Sequence, residues 1–445
     1  MSVGQAPPRR SVRSIFRSVG LLLTGKAMAG LMSLGYLAMV TRILGAQDYG
    51  ILILLHAYIT LVGGIVAFSG WHGVVRYGSL AFREGDHGRL MRLIRFMTLV
   101  ELACGLLAIA VAVALVQFVG PHLHWSAKAM VLAVPYSLAI LANVRSTPNG
   151  ILQIVGRFDL ISAHQLINPA VRLVGSLTVL LAGGGLEAIL AVWLAASVAE
   201  GVGMWFFGLR ELGRMRIVEP LLGTARNAVA ENEGLLPFIV TNNVDLTMGE
   251  LGPKLAPLTV GWLLGPAAAG LFALAQRASI ILQQPAIMLG QASFSVITKL
   301  LAAGEVERFS RSVWHTSGLA VLAAIPVTFA LALFADPIIL LLGGTSFSGG
   351  APLLTLLACS RALLAGSTTL SSGLIALGRP GRSISASLAG NLGLYPLLPA
   401  LLLFAGLNGA GWHALIQSIV IVATLTWFFR RSVKEHASRT LAQVP

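Results

Sequence analysis

Six basic side chains lie inside long apolar segments, where a positive charge is costly. They are Lys26, Arg145, Arg172, Lys254, Arg277 and Arg361. A cation at bilayer depth costs from about 3 to more than 10 kcal/mol, so such side chains face a protein interior or a water-filled cavity. Arginine binds phosphate oxygens in pairs and lysine supplies a point charge. The six residues therefore indicate a cationic interior suited to a phosphate or pyrophosphate group.

Buried acids offer these cations a structural alternative. The acidic residues inside apolar segments are Glu101, Glu200, Asp245 and Glu250. Glu200 on the sixth predicted helix is placed to pair with Arg172 on the fifth. Glu250 precedes Lys254 by about one helical turn, a spacing at which opposite charges pair locally.

The segment around Asp245 combines acids with three interior prolines, which interrupt the helical hydrogen-bond ladder and kink the helix. A kinked helix with buried acids is suited to bind a coupling ion, either H⁺ or Na⁺. Asp245 is the first candidate for this role, and Glu250 and Glu200 are further ones. The alternative for Asp245 is a counter-ion for a neighbouring arginine.

The elements that carry these side chains are predicted to be membrane-spanning helices. Of the 445 residues, 56% are hydrophobic and 11% are charged, whereas a soluble domain has roughly 25% charged residues. The pattern predicts an all-α integral membrane protein with twelve transmembrane helices. The predicted spans are 19–40, 49–70, 92–119, 126–153, 160–182, 186–209, 234–264, 267–298, 312–335, 350–377, 383–405 and 408–429.

The distribution of charge predicts the orientation. Most of the 31 lysine and arginine residues fall between alternate spans, whereas the other loops hold Arg42 and Lys128. The positive-inside rule therefore predicts a multi-pass protein with both termini in the cytoplasm. The net charge of +14 is explained by these loops, and no nucleic-acid partner is expected.

Short motifs recur about 220 residues apart. Leu44, Gly45 and Gly50 match Leu264, Gly265 and Gly270; Gly156-Arg157 matches Gly378-Arg379; and Gly185-Leu186 matches Gly406-Leu407. The matches predict two pseudo-symmetric six-helix halves, 1–220 and 221–445, around a central cavity. Transporters built from repeats bind substrate between the repeats and work by alternating access.

Other chemistry is not indicated. The sequence has no GxxxxGK[ST] loop, and its polar insertions are too short for a catalytic domain, so we expect no enzymatic activity. Cys104 and Cys359 stand alone, and the histidines lack metal-ligand spacing. No metal or cofactor is expected.

Several motifs together resemble one known family. Arg42-Ile43-Leu44-Gly45 followed by Asp48-Tyr49-Gly50 is similar to the R-x-L-G-x-x-x-Y-G signature of polysaccharide and O-antigen repeat-unit flippases. This is the polysaccharide transport branch of the multidrug/oligosaccharidyl-lipid/polysaccharide exporter superfamily. Further matching stretches are Gly150–Gln153 with Gly156–Phe158, Leu264-Gly265 with Gly270–Ala275, and Leu341–Gly343 with Phe347.

The resemblance implies a flippase in the bacterial inner membrane. Its substrate would be an undecaprenyl-pyrophosphate-linked oligosaccharide, moved from the cytoplasmic to the periplasmic leaflet by alternating access coupled to an ion. Arg42 then joins the six buried cations as a candidate substrate-binding residue. Membrane lipids and a polysaccharide polymerase are the expected partners. The alternatives are a multidrug or cation antiporter of the same fold, and a non-transporting component of a polysaccharide-synthesis complex.

Overall fold

The computed structural model describes residues 12–215, 217, 223–280, 293 and 297–441. Within helices, it describes only the backbone of residues 12–24, 26, 27, 245, 249, 250, 253, 437 and 439–441. The described part of the chain is helical and contains no β-strand. The predicted all-α fold class is confirmed.

The first eleven α-helices extend from the N-terminal segment to residue 279. They are α1 (Val12–Val66), α2 (Trp71–Gly73), α3 (Ser79–Glu84), α4 (His87–His122), α5 (Ala127–Tyr136), α6 (Ser146–Val155), α7 (Phe158–His164), α8 (Ile167–Ala182), α9 (Leu186–Arg214), α10 (Leu235–Leu264) and α11 (Pro266–Ser279). Helix α1 contains a break at Gly45, with φ 67° and ψ −178°, which separates the first two predicted spans. Only glycine adopts this backbone conformation readily.

Seven further helices follow residue 305. They are α12 (Val306–Leu333), α13 (Ala335–Gly343), α14 (Ala351–Ala365), α15 (Ser367–Ala376), α16 (Pro380–Leu388), α17 (Leu397–Ala405) and α18 (Asn408–Leu441). Eight helical stretches among the described residues are long and apolar enough to cross a membrane, and the bent stretch from Pro380 to Ala405 makes a ninth. The total of twelve spans stays a prediction. Helix α13 was not predicted, since its segment was assigned to a loop.

Backbone conformations recur along the chain with the spacing of the sequence motifs. Ten of the thirteen described residues with positive φ fall into pairs about 220 positions apart: Gly45 and Gly265, Gly85 and Gly304, His124 and Gly344, Gly156 and Gly378, and Gly183 and Gly406. Each pair lies at corresponding helix junctions of the two predicted halves. The recurrence supports a repeated helical pattern, while the division at residue 220 stays a prediction.

The chain forms two compact units that are not contiguous in sequence. The first comprises residues 1–39, 65–114 and 134–244, and the second comprises residues 40–64, 115–133 and 245–445. The boundaries at 39/40, 64/65, 114/115, 133/134 and 244/245 all fall inside α-helices. The chain therefore passes between the units through helical segments.

Each unit has its own apolar core. In the first unit, Leu93, Ile94 and Met97 of α4 are buried together with Leu235 and Ile239 of α10. In the second, the core includes Phe309 and Val313 of α12, Leu370 of α15, and Leu425 and Phe429 of α18. Burial of this apolar surface fixes the rotation of the helices that carry the polar residues described below.

Gly50 and Gly270 allow two helix ends to pack closely in the second unit. A Cβ atom at Gly50 would lie 1.8 Å from the Pro266 carbonyl oxygen, and one at Gly270 would lie 2.8 Å from the Ala46 carbonyl oxygen. The two contacts are reciprocal, because Gly50 corresponds to Gly270 and Ala46 to Pro266 in the repeat. Both glycines belong to the motif that suggested the repeat.

Candidate functional site

Arg361 lines an internal cavity of the second unit. The cavity has a volume of about 120 Å³. Its lining residues are Gly252, Ala256, Phe272, Gln276, Leu357, Ser360, Arg361, Leu364, Asn391, Tyr395, Leu398, Ala410, His413, Ala414 and Gln417. None of these is acidic. The cavity therefore combines one guanidinium group with neutral amides, hydroxyls and an imidazole.

Hydrogen bonds fix several of the polar side chains around Arg361. Gln417 Nε2 donates to Asn391 Oδ1 at 3.0 Å and to the Gly390 carbonyl at 3.2 Å. His413 Nε2 lies 3.0 Å from the Leu394 carbonyl oxygen. The π-helical segment Ala389–Gly393 places this part of the lining after α16. The cavity wall is thus held in place by bonds that do not involve the arginine.

Arg172 is enclosed by aromatic rings in the first unit. Its side chain on α8 is buried, and the guanidinium carbon lies 4.0 Å from the ring centroid of Trp193 on α9. Arg172 Nη1 is 3.4 Å from the Tyr36 hydroxyl, which can accept a hydrogen bond from it. No carboxylate among the described side chains pairs with Arg172. The predicted pairing of Arg172 with Glu200 is wrong.

Glu200 instead forms an ion pair with Arg145. Arg145 precedes the first turn of α6, and its guanidinium contacts the Glu200 carboxylate on α9. The second Glu200 oxygen accepts a hydrogen bond of 2.9 Å from Asn168 Nδ2. The charge of Arg145 is therefore balanced within the first unit.

The remaining predicted cations of the second unit lie outside the cavity lining. Arg42 is exposed, and its Nη2 donates to the Leu341 carbonyl at 3.1 Å. Lys254 packs against Gly64, where an added Cβ atom would lie 2.7 Å from the ammonium nitrogen. Arg277 is exposed in the last turn of α11.

Three predicted site residues have side chains outside the described part of the structure. These are Lys26, Asp245 and Glu250, whose backbones lie in α1 and α10. Their predicted roles are therefore untested. Among the described site residues, the structure brings Arg145 and Glu200 together, and it places Arg361 in the lining of the cavity.

Glu101 is the buried acid whose environment the sequence did not indicate. Its side chain on α4 has no exposed surface, and its carboxylate accepts hydrogen bonds from the backbone of Gly70 and from Thr147. These partners are 31 and 46 residues away in the chain. No periodic pattern connects positions at those distances.

A metal site is not formed by the described residues. They contain no group of three or more histidine, cysteine, aspartate or glutamate side chains that could hold a metal ion. The thiols of Cys104 and Cys359 are unbridged. The chemistry offered by the described side chains is binding of charged and polar groups.

The helical arrangement places the protein in a known class of membrane transporter folds. It superimposes on an inward-facing multidrug resistance MATE family transporter of the MOP superfamily with a TM-score of 0.71, covering 92% of this chain and 95% of that chain, at 14% identity. The MATE transporter VcmN of Vibrio cholerae in its bent form gives a TM-score of 0.60 over 95% of this chain and 96% of that chain, at 16% identity. The fold is therefore that of MATE transporters.

The polysaccharide biosynthesis protein family matches residues 39–352, most of the chain, and the protein belongs to this family. It is also similar to the inner membrane protein YghQ of Escherichia coli (strain K12). The two are 26% identical over 288 residues, which cover 65% of this chain and 81% of that relative. The family resemblance predicted from the motifs around Gly45 and Gly265 is confirmed.

Proposed function

We propose that the protein is a flippase for an undecaprenyl-pyrophosphate-linked oligosaccharide. It moves the lipid-linked unit from the cytoplasmic to the periplasmic leaflet of the bacterial inner membrane by alternating access. Membership in the polysaccharide biosynthesis family and the MATE fold support this proposal. The name of the relative YghQ supports the inner membrane location.

The observation that carries the proposal is the cavity around Arg361. Its polar lining has a cationic group and no acidic side chain among the described residues, so it favours an anionic group over a cationic one. A volume of about 120 Å³ suits a phosphate-sized group and is too small for an oligosaccharide. In this mechanism Arg361 binds the pyrophosphate while the glycan and the lipid tail lie elsewhere.

The other predicted cations complete the proposed substrate path. Lys26, Arg42, Arg145, Arg172, Lys254 and Arg277 are its further candidate residues. Arg172 and Arg145 already have partners in the first unit, which favours a structural contribution from both. The proposed mechanism draws its energy from an H⁺ or Na⁺ gradient, with Asp245, Glu250 and Glu200 as candidate ion-binding residues. A polysaccharide polymerase is the proposed downstream partner.

The test is transport by Arg361 variants at equal protein levels. Purified protein is reconstituted into proteoliposomes that carry a fluorescent undecaprenyl-pyrophosphate oligosaccharide, and its movement between leaflets is measured with a membrane-impermeant quencher. We expect Arg361→Gln to slow flipping by about tenfold or more, because one charge-assisted hydrogen bond to the substrate is lost. Arg361→Lys retains the charge and should keep an intermediate rate.

A matched control separates loss of this charge from loss of any arginine. Arg308 is a largely exposed arginine of α12 paired with Glu305, and Arg308→Gln should flip at the wild-type rate. Surface polysaccharide in a strain lacking the native gene should follow the same order. Normal flipping by folded Arg361→Gln would contradict the role of the cavity, and no flipping by the wild type would contradict the proposed function.

The MATE fold supports one competing function, the export of cationic drugs. This candidate requires an acidic or aromatic site, whereas the described cavity lining carries Arg361 and no acid. Resistance of cells to cationic dyes decides between the two functions. We expect expression of the protein to leave dye resistance unchanged.

A further inference from the structure

Glu101 lies where two helical segments of the first unit are interrupted. Residues 67–70 are non-helical between α1 and α2, and Val144 and Arg145 are non-helical before α6. Gly70 N donates to Glu101 Oε1 at 3.0 Å, and Thr147 N donates to Oε2 at 3.3 Å. The Thr147 hydroxyl adds a bond of 3.0 Å to Oε1. A single carboxylate therefore joins both interruptions.

Further polar contacts tie the same two interruptions to each other and to α10. The hydroxyls of Ser69 and Ser146 are 3.1 Å apart. Asn243 on α10 accepts a bond of 2.7 Å from Ser69 N and donates one of 3.2 Å to the Ser69 carbonyl. Glu101 is thus the one acidic side chain within this described network of neutral polar groups.

The carboxylate has no counter-charge among the described side chains. Glu101 forms no ion pair with a described lysine, arginine or histidine. A buried carboxylate without a cation depends on hydrogen-bond donors to remain ionised, and the loss of one donor favours the protonated form. The three donors come from Gly70 and from Thr147 in the first turn of α6, so separation of these two segments replaces protein donors with water and ends the burial that disfavours the charged form.

The Thr147 hydroxyl can hydrogen-bond to Glu101 in both the ionised and the protonated form of the carboxyl group. A hydroxyl group can both donate and accept a hydrogen bond. It donates to Glu101 when the carboxylate is ionised, and it can accept from the carboxyl O–H after protonation. The Gly70 N–H donates in either state.

Among the side chains that the structure describes, the neighbouring elements carry few other titratable groups. His72 lies beyond Gly70, where burial lowers the pKa of its imidazole and Asn242 Nδ2 lies 2.9 Å from Nδ1. Arg145 precedes α6 and is paired with Glu200 of α9. On α4 itself, Cys104 lies one turn from Glu101.

We infer that Glu101 is a proton-binding site of the transport cycle. It takes up one proton from water as residues 67–70 and the start of α6 close around it, because burial disfavours the charged form, and its charge changes from −1 to 0. It releases that proton to water when the two segments separate and the carboxylate is hydrated. This inference rests on the proposed flippase function and assigns the coupling ion as H⁺. Because proton binding and conformational change are linked, each biases the other.

The test uses full-length protein in proteoliposomes with an imposed pH gradient. Exchange of one proton per cycle lets a gradient of one pH unit shift the steady-state distribution of lipid between leaflets by up to about tenfold. We expect wild type to show such a shift and Glu101→Gln to show none, with a distribution ratio of about one. An unchanged shift in folded Glu101→Gln would overturn the inference.

Thr147 variants separate proton exchange from support of the fold. Thr147→Ser keeps the hydroxyl and should keep the pH response, whereas Thr147→Val removes the hydroxyl and should reduce it severalfold. The matched control is Thr98→Val on the same helix as Glu101, because the Thr98 hydroxyl bonds only the Ile94 carbonyl of its own helix. If Glu101 only supports the fold, Thr147→Val should give less folded protein, but the folded fraction should keep its pH response. That result would overturn the inference.

The outcomes also separate this inference from the proposed function. Flipping by the wild type without any response to pH overturns the proton site and leaves the flippase function standing. Absence of flipping by the wild type overturns both. If Glu101→Gln does not fold, the Thr147 pair decides the question.

Discussion

Arg157 Nη1 lies 2.7 Å from the Glu211 carboxylate at the C-terminal end of α9. The corresponding arginine of the repeat, Arg379, lies 2.9 Å from Glu435 near the end of α18. Each glutamate also forms an ion pair with an arginine of its own helix. Glu211 pairs with Arg214, three residues later, and Glu435 pairs with Arg431, four residues earlier. Hydrogen bonding to Asp159 raises the pKa of the Arg157 guanidinium further above its usual range. The same charged junction is therefore built twice.

Replacing Glu211 with Gln should destabilise the protein more than replacing Glu435. The Glu211 side chain is 5% exposed and contacts two arginines, whereas Glu435 is 29% exposed and contacts three, including Arg382. Loss of a largely buried partner costs about 1–3 kcal/mol, which should lower the melting temperature in detergent by several degrees. The control Glu307→Gln changes a pair whose glutamate is 87% exposed and should have no effect. Equal effects of the Glu211 and Glu435 changes would contradict this prediction.

The aromatic enclosure of Arg172 predicts a structural contribution. Trp193→Leu removes the ring 4.0 Å from the guanidinium carbon and should lower stability by about 2 kcal/mol, because a desolvated cation–π contact is lost. Arg172→Lys and Arg172→Gln should both lower the melting temperature, since neither provides a planar group for stacking. Thermal unfolding with flipping measured per folded protein tests this. If Arg172→Lys is stable and Arg172→Gln is stable but inactive, the arginine serves the substrate instead.

The close approach at Gly50 predicts strong intolerance of a methyl group. Gly50→Ala would place Cβ 1.8 Å from a backbone carbonyl oxygen that no side-chain rotation can move away. We expect little folded protein by size-exclusion chromatography. Gly318→Ala is the matched control, because a Cβ at this helical glycine meets nothing within 4 Å. It should be neutral or stabilising by up to about 1 kcal/mol. Normal yield of Gly50→Ala would show that the two segments are further apart.

The predicted orientation can be tested by labelling single cysteines. In a background with Cys104 and Cys359 changed to Ser, His124→Cys lies in a predicted periplasmic loop and Asp86→Cys in a predicted cytoplasmic loop; both native residues are exposed. A membrane-impermeant maleimide should label the first in intact spheroplasts and the second only after permeabilisation. The opposite pattern would reverse the predicted orientation.

The positions of the helix junctions followed from local sequence signals. Gly45 and Gly265 occupy breaks that require glycine, and each lies in a motif visible in the sequence. Long apolar segments likewise located the helices. Helix α13 was missed because Ala335–Gly343 is only nine residues long and follows α12 after a single residue.

Side-chain pairs between neighbouring helices were harder to predict, because they depend on how far one helix is shifted along the other. Arg172 lies ten residues before the end of α8, whereas Glu200 lies fourteen residues after the start of α9. The two helices are antiparallel neighbours joined by a short turn, so the difference of four residues separates these positions by about 6 Å along the axis. That offset places Glu200 beside Arg145 and Asn168. The hydrogen-bond donors of Glu101 and the cavity of Arg361 depend on helix interruptions that hydropathy does not reveal.

The boundaries inside α1, α4, α5 and α10 have a consequence for how the chain folds. A helix that crosses from one unit to the other is stabilised by packing against both cores, because most helical stability in proteins comes from tertiary packing. Neither unit could then be excised as an autonomous module, and a protease would find no linker at these five boundaries. The protein is expected to unfold in a single cooperative transition, although its chain is divided between two cores.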